Sequence, residues 1–263
     1  MIDIKQRQRQ AWATGDYRTI GARLQIVSET LCEAVDLRGG QTVLDVATGT
    51  GNTAIAAARR WCDVTAIDYV PSLMEFGRTR AAAEGVPVAF LEGDAEEMRF
   101  PDNSFDVVLS TFGSMFAPNH QQAADELVRV CRVGGKIGMA NWTPSGFAGA
   151  FFRAVSEVVP PPEGAKSPIL WGTEAYLRQL FGEGVALQVT QRHFVLRYRS
   201  PSHWVEVFCT TLGPLLKAFE TLDTAGRERL VGKLLNVVAE FNKADDGTFV
   251  APCEYLEVVA TKS

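Results

Sequence analysis

Between residues 41 and 142, short apolar runs alternate with longer amphipathic stretches. Runs at 42–45, 63–68, 88–92, 106–110 and 136–141 have the length of strands, and 53–61, 72–84 and 121–130 between them read as helices. Residues 95–104 read as a loop. Alternation of this kind predicts parallel strands joined by crossover helices. A sheet so wound brings its strand carboxyl ends to one crevice, where ligands bind. Asp45, Asp68, Asp94 and Ser110 all fall at such ends.

The flanks follow other patterns. Residues 5–37 read as two helices, and the second, at 19–35, places Ile20, Leu24, Val27 and Leu31 on one face. After Trp142, Val159-Pro160-Pro161-Pro162-Glu163-Gly164 is a stiff loop, since proline fixes its backbone and lacks an N–H. A helix at 173–181 has Thr173 as its cap, and 187–198 reads as a long strand. Helices at 202–222, broken by Gly213-Pro214, and at 226–243 follow. Asp245-Asp246-Gly247 marks a turn, and 255–261 is the last strand. The expected fold is α/β: a doubly wound, mostly parallel seven-stranded sheet with helices on both faces and an added helical cap. Residues 1–263 then form one domain, with N-terminal helices at 1–40, a binding core at 41–142, and cap or substrate-side segments at 143–185 and 200–247.

Composition narrows the function classes. Hydrophobic residues make up 46% of the chain, enough for a substantial core. The 31 acidic and 26 basic residues are mixed throughout, with no basic block to track a phosphate backbone, so nucleic acid is not an expected partner. The start of the chain, Met1 to Asp16, is polar, and no run approaches the ~20 apolar residues of a membrane span. Cys32, Cys62, Cys131, Cys209 and Cys253 form no CxxC pair, and the histidines are scattered. Reduced thiols, a cytoplasmic location and no metal centre are expected.

The chemistry begins at Asp45-Val46-Ala47-Thr48-Gly49-Thr50-Gly51, where a strand turns into an alanine-rich helix. Glycines there allow a tight turn and let a ligand touch bare main chain. The helix start adds free N–H groups and a positive dipole end. Gly49-Thr50-Gly51-Asn52-Thr53-Ala54 also fits a dinucleotide fingerprint, with Asp68 placed to accept from ribose hydroxyls. Asp45 and Asp94 disfavour a diphosphate by charge. They suit a ligand with an ammonium group, a sulfonium centre and an amino-bearing adenine, which describes S-adenosylmethionine.

The sequence here resembles the class I S-adenosylmethionine-dependent methyltransferases. The marks are Val43-Leu44-Asp45-Val46-Ala47-Thr48-Gly49-Thr50-Gly51, Ala66-Ile67-Asp68, Glu92-Gly93-Asp94-Ala95-Glu96, Phe100-Pro101-Asp102-Asn103-Ser104-Phe105-Asp106 and Arg129-Val130-Cys131-Arg132-Val133-Gly134-Gly135. The segment 41–142 looks most like the quinone-ring C-methyltransferases and small-molecule enzymes near them, whereas 143–175 and 200–250 look unlike the quinone enzymes. The resemblance implies a Rossmann-like methyltransferase fold and a set of roles. Asp45 and the backbone at Ala47, Gly49 and Gly51 would surround the methionine part. Asp68 would bind the ribose hydroxyls, Tyr69 would lie along the ribose or adenine, and Asp94 with the Ala95 amide would take the adenine. Ser110, Thr111 and Phe112 would line the floor near the methyl group. Ala47 stands where many members carry glycine.

The acceptor is hinted at by aromatics and methionine in loops at the ligand edge: Phe112, Met115 and Phe116, then Trp142, Phe147, Phe151 and Phe152, then Trp204, Val207 and Phe208 on the cap. These suggest an apolar or aromatic small molecule. Trp12 and, beyond it, Asp16 and Tyr17 lie in a polar segment whose aromatics either close over a cofactor or, in the case of Trp12, simply anchor the segment. No residue is assigned a catalytic role: His120 reads as facing solvent in the first turn of a helix, His203 as a cap-helix residue and His193 as structural. Two other classes fit the loop, a protein that binds S-adenosylmethionine without transferring methyl and an NAD-dependent dehydrogenase.

Overall fold

The computed structural model describes residues 2–263; Met1, the first residue of the polar N-terminal stretch, lies outside them. Seven strands form one sheet: β1 (Thr42–Val46), β2 (Asp63–Asp68), β3 (Ala89–Glu92), β4 (Phe105–Thr111), β5 (Cys131–Trp142), β6 (Val185–Tyr198) and β7 (Phe249–Lys262). Their order across the sheet is β3-β2-β1-β4-β5-β7-β6. The first five run parallel, while β7 is antiparallel to both β5 and β6. This is the doubly wound α/β fold. The order reverses beside β1, so the crevice opens over the carboxyl ends of β1 and β4.

Both faces are covered because the central strands are apolar on both sides. On one face lie α3 (Gln25–Ala34), α4 (Asn52–Ala58) and α5 (Pro71–Glu84), packing Leu31, Ile55 and Met74 against Val43, Ala66 and Leu109. On the other lie α6 (His120–Val130) and α8 (Glu174–Phe181), with Leu127 and Leu177 against Leu44, Val108 and Ile137. Thr173 precedes α8, but its hydroxyl bonds back to the Leu170 carbonyl at 2.8 Å and does not cap the helix.

The third cluster explains the cap. β7 pairs with β5 only from Tyr255 onward, yet pairs with β6 along its whole length. The excess forms a two-stranded ribbon beyond the end of β5. On it sit α7 (Phe147–Ser156), α9 (Pro201–Thr211), α10 (Gly213–Thr221) and α11 (Thr224–Phe241), around Trp204, Leu230, Leu234 and Phe249. The ribbon is longer than the expected strand at 255–261.

The single helix expected at 19–35 is three pieces: α2 (Tyr17–Gly21), a 3-10 turn (Ala22–Leu24) and α3. Gly21 abuts the loop after β1: a Cβ there would meet Thr50 Oγ1 at 2.8 Å, and the Gly21 carbonyl accepts from Asn52 Nδ2 at 2.7 Å. Tertiary contact overrides the local period. Ahead of these pieces, α1 (Ile2–Thr14) runs across the crevice and packs on α10. A Cβ on Gly213 would meet the Ala11 carbonyl at 1.9 Å, so glycine permits this approach.

Candidate active site

Asp45 and Asp68 end adjacent strands and brace the loop between β1 and α4 from both sides. Asp45 Oδ2 accepts from Thr48 Oγ1 at 2.6 Å and from the Ala54 amide at 3.0 Å. Asp68 accepts from the Gly49 amide at 2.8 Å and the Val70 amide at 2.8 Å. Within the loop, Ala47, Gly49 and Gly51 all take the left-handed backbone, at φ +55°, +56° and +82°. At Ala47 this costs a side-chain clash that glycine avoids. Burial pushes the Asp45 carboxyl up to about 7, with the bonds from Thr48 and Ala54 pulling back and the Asp68 charge adding to the rise. Burial likewise pushes Asp68 up to about 6, and it raises the Tyr69 hydroxyl, helped by the Asp68 charge.

These groups face a cavity of about 550 Å³. Asp45, Ala47, Gly49, Asp68, Tyr69, Asp94, Ala95, Thr111 and Phe112 line it. A Cβ added at Gly49 would meet no atom within 4 Å, so the backbone there is bare to the cavity. Gly51 and Ser110 are not among the lining residues. Gly51 starts α4, where a Cβ would press on the Phe90 ring at 3.1 Å. Ser110 is buried and holds two loops together: it donates to the Val46 carbonyl and accepts from the Ser114 amide, at 2.9 and 2.8 Å. A run of hydroxyls, Ser28, Thr53 and Thr111, is linked at 2.9 and 2.8 Å beside the loop.

The opposite end of the cavity is aromatic. Phe112, Phe116, Trp142, Phe147, Phe151, Phe152 and Phe208 line it. Phe112, itself at φ +53°, stacks on Trp142 with ring centroids 3.6 Å apart, and Tyr255 meets both edge-on. Met115, Trp204 and Val207 do not line the cavity; Met115 and Trp204 are core residues, and Trp204 backs Phe208 at 4.4 Å.

The N-terminal helix supplies a wall that sequence reasoning only partly found. Trp12 and Tyr17 line the cavity, 5.6 Å apart, while Asp16 pairs with Arg18. Lys5 and Gln8 stand on the same stripe of α1 as Trp12, at helical spacing, which is the signal that identifies them. Lys5 Nζ lies 2.7 Å from Asp94 and 2.6 Å from Glu96. Arg9 adds a second tie to Glu92 at 2.6 Å. The Gln8 side-chain oxygen is buried with no hydrogen-bond partner. Three carboxylates and this oxygen make the loop end a surface of acceptors, suited to a ligand rich in N–H and O–H donors and positive charge.

The histidines lie elsewhere. His120 is buried rather than solvent-facing: its Nδ1 is 2.9 Å from the Tyr176 hydroxyl, and burial lowers its pKa to about 4. His193 is exposed near Glu254, and His203 interacts with Arg199. None lines the cavity.

A family profile described as "Methyltransferase domain" matches residues 43–135. An uncharacterised protein of Mycobacterium tuberculosis is 41% identical over 218 residues, covering 81% of this chain and 80% of that protein. The demethylmenaquinone methyltransferase of Deinococcus radiodurans is 34% identical over 167 residues, covering 60% of this chain and 69% of that enzyme. Among solved structures, the YcgJ protein of Bacillus subtilis superposes with a TM-score of 0.62 at 18% identity, over 90% of this chain and 98% of that one.

Proposed function

The chain belongs to the class I S-adenosylmethionine-dependent methyltransferases, close to the quinone methyltransferases, and we propose that it methylates an apolar or aromatic small molecule by in-line displacement. The observation that carries this reading is the two-ended cavity, with carboxylates and bare loop backbone at one end and aromatic rings at the other. S-adenosylmethionine supplies an activated methyl group on a positive sulfur with a neutral leaving group.

The residues then divide the work. Asp45 and the loop backbone at Ala47 and Gly49 would hold the amino-acid part, with Gly51 shaping the turn behind them. Asp68 would take the ribose hydroxyls, since its two backbone bonds leave further acceptor capacity. Tyr69 would flank the ribose, and Asp94 with Ala95 would receive the adenine once Lys5 shares or releases that carboxylate. Thr111 and Phe112 would form the floor between the two ends, with Ser110 behind it.

No histidine, aspartate or glutamate lines the aromatic end among the described residues. The protein's work there is to aim the nucleophile and exclude water, and alignment of this kind can supply ~7–11 kcal/mol. Residues 41–142 then act as the cofactor core, with 143–185 and 200–247 on the substrate side. The relative named for demethylmenaquinone favours a ring-bearing acceptor.

The test is a screen of phenols, quinols, amines and thiols with purified protein and S-adenosylmethionine, reading S-adenosylhomocysteine and methylated product. Turnover with ring-bearing acceptors is expected. Turnover confined to small polar amines would refute the acceptor class.

A further inference from the structure

The charges lining the cavity are not all accounted for by the cofactor. Asp45, Asp68 and Asp94 gather at the loop end, and Lys5 is held by Asp94 and Glu96. Arg23 is different. It stands on the 3-10 turn between α2 and α3 and lines the cavity with Leu24, Leu196 and Tyr198. Its guanidinium donates to the Thr19 carbonyl and lies 5.9 Å from the centre of the Tyr198 ring. No carboxylate pairs with it among the described residues, whereas ten other arginines among them have one. The same cavity is lined by Leu196 and Tyr198, buried on the ribbon, and by Leu215 of α10.

An arginine beside an apolar wall, with donors left over, is half of a charge-assisted hydrogen-bonded pair. Arg23 is exposed, so its remaining N–H groups are open both to water and to an anionic ligand that enters the cavity. We propose that Arg23 is a specificity residue that reads an oxyanion on the acceptor, so that the acceptor class is an amphiphilic organic acid: an apolar, ring-bearing body with one anionic group. This rests on the methyltransferase reading of the same cavity. The sulfonium end is rich in carboxylates and repels such a group, so the two ends of the cavity fix the direction in which the acceptor enters.

A pair of fluorescent probes isolates the anion. 1-Anilinonaphthalene-8-sulfonate and N-phenyl-1-naphthylamine share a fused aromatic body and differ by the sulfonate. Titrated into protein saturated with S-adenosylhomocysteine, the sulfonate should bind about tenfold tighter than the neutral probe, the size expected of one charge-assisted contact. Arg23→Gln should abolish that preference while leaving the neutral probe and S-adenosylhomocysteine within about twofold of their original affinities, and Arg23→Lys should keep part of it. Equal binding of the two probes, no binding of the sulfonate, or a preference that survives Arg23→Gln would overturn the assignment. If S-adenosylhomocysteine binds and the preference follows Arg23 but no acceptor is ever methylated, the methyl-transfer reading fails and the anion site stands.

Discussion

The two ends of the cavity are built in opposite ways. The loop end is made by neighbours in sequence: Asp45, Ala47 and Gly49 lie within five residues, Asp68 closes β2 and Asp94 follows the end of β3. Its polarity comes from carboxylates braced by backbone amides. The aromatic end is assembled from the floor after β4, the end of β5, α7, the β6–β7 ribbon and α9–α10. It holds rings and aliphatic chains, with Arg23 as its charge. A ligand common to a whole family can be bound by a fixed local motif. A substrate particular to one member is met by remote segments that vary freely around the sheet.

This division makes the two ends separable by experiment. The largest effect is expected at Asp68. Replacement by Ala strands two backbone amides as well as any ribose hydroxyls, and charge-assisted bonds are worth ~1.5–3 kcal/mol each. Calorimetry should show S-adenosylhomocysteine binding at least about tenfold more weakly, with the fold intact by circular dichroism. Unchanged affinity would remove Asp68 from the site.

Acid should act on the same end. In the proposed site an ionised Asp45 would attract the ligand's ammonium group, and its folded pKa of about 7 means protonation begins near neutrality, followed by Asp68 at about 6. Affinity for S-adenosylhomocysteine should be full above pH 8 and fall on the order of tenfold by pH 5.5. Stability of the ligand-free protein should carry the opposite sign. These carboxyls have folded pKa values above the ordinary 3.8, so the folded state binds more protons between roughly pH 4 and 7, and their contribution to stability declines as pH rises through that window. Cofactor affinity that is flat from pH 8 to 5.5 would contradict the assignment of both groups.

At the other end, Phe152 is half-buried, 5.4 Å from Phe151 and 5.9 Å from Phe116. Phe152→Ala removes apolar wall from the acceptor side alone. KM for a ring-bearing acceptor should rise about fivefold, with S-adenosylhomocysteine affinity unchanged. Loss of both together would show that the two ends are not independent.

The smallest effect is expected from Lys5→Ala. Its ion pairs are partly exposed, so they stabilise α1 only modestly. Hydrogen exchange of the α1 amides should quicken about threefold while β1 and β4 stay slow. No change would mean that packing on α10 and the Arg9–Glu92 pair hold the helix without Lys5.

Sequence legibility follows the same division. The strand at 63–68 and the turn from β1 into α4 were readable because buried parallel strands are short apolar runs punctuated by glycine and aspartate. The start of β7 was not, because Pro252, Cys253 and Glu254 break the apolar pattern while still pairing with Val195, Phe194 and His193. The apolar period at 19–35 hides the break at Gly21, because Thr50 and Asn52 impose it across the crevice, which no local window contains. Opening a helix suggests a solvent-facing site for His120, but the packing of α8 and Trp171 over that turn buries it. Arg23 stands in no motif; only the fold shows that a cation without a carboxylate partner lines the cavity.

The most direct test of the two-ended site is a crystal structure with S-adenosylhomocysteine bound. The account predicts ribose hydroxyls within hydrogen-bond distance of Asp68, the adenine amino group at Asp94 with Lys5 displaced or shared, and the sulfur facing Phe112 and Trp142. Adenine lodged among Phe151, Phe152 and Phe208, with the Asp45–Asp68 end left to solvent, would contradict it.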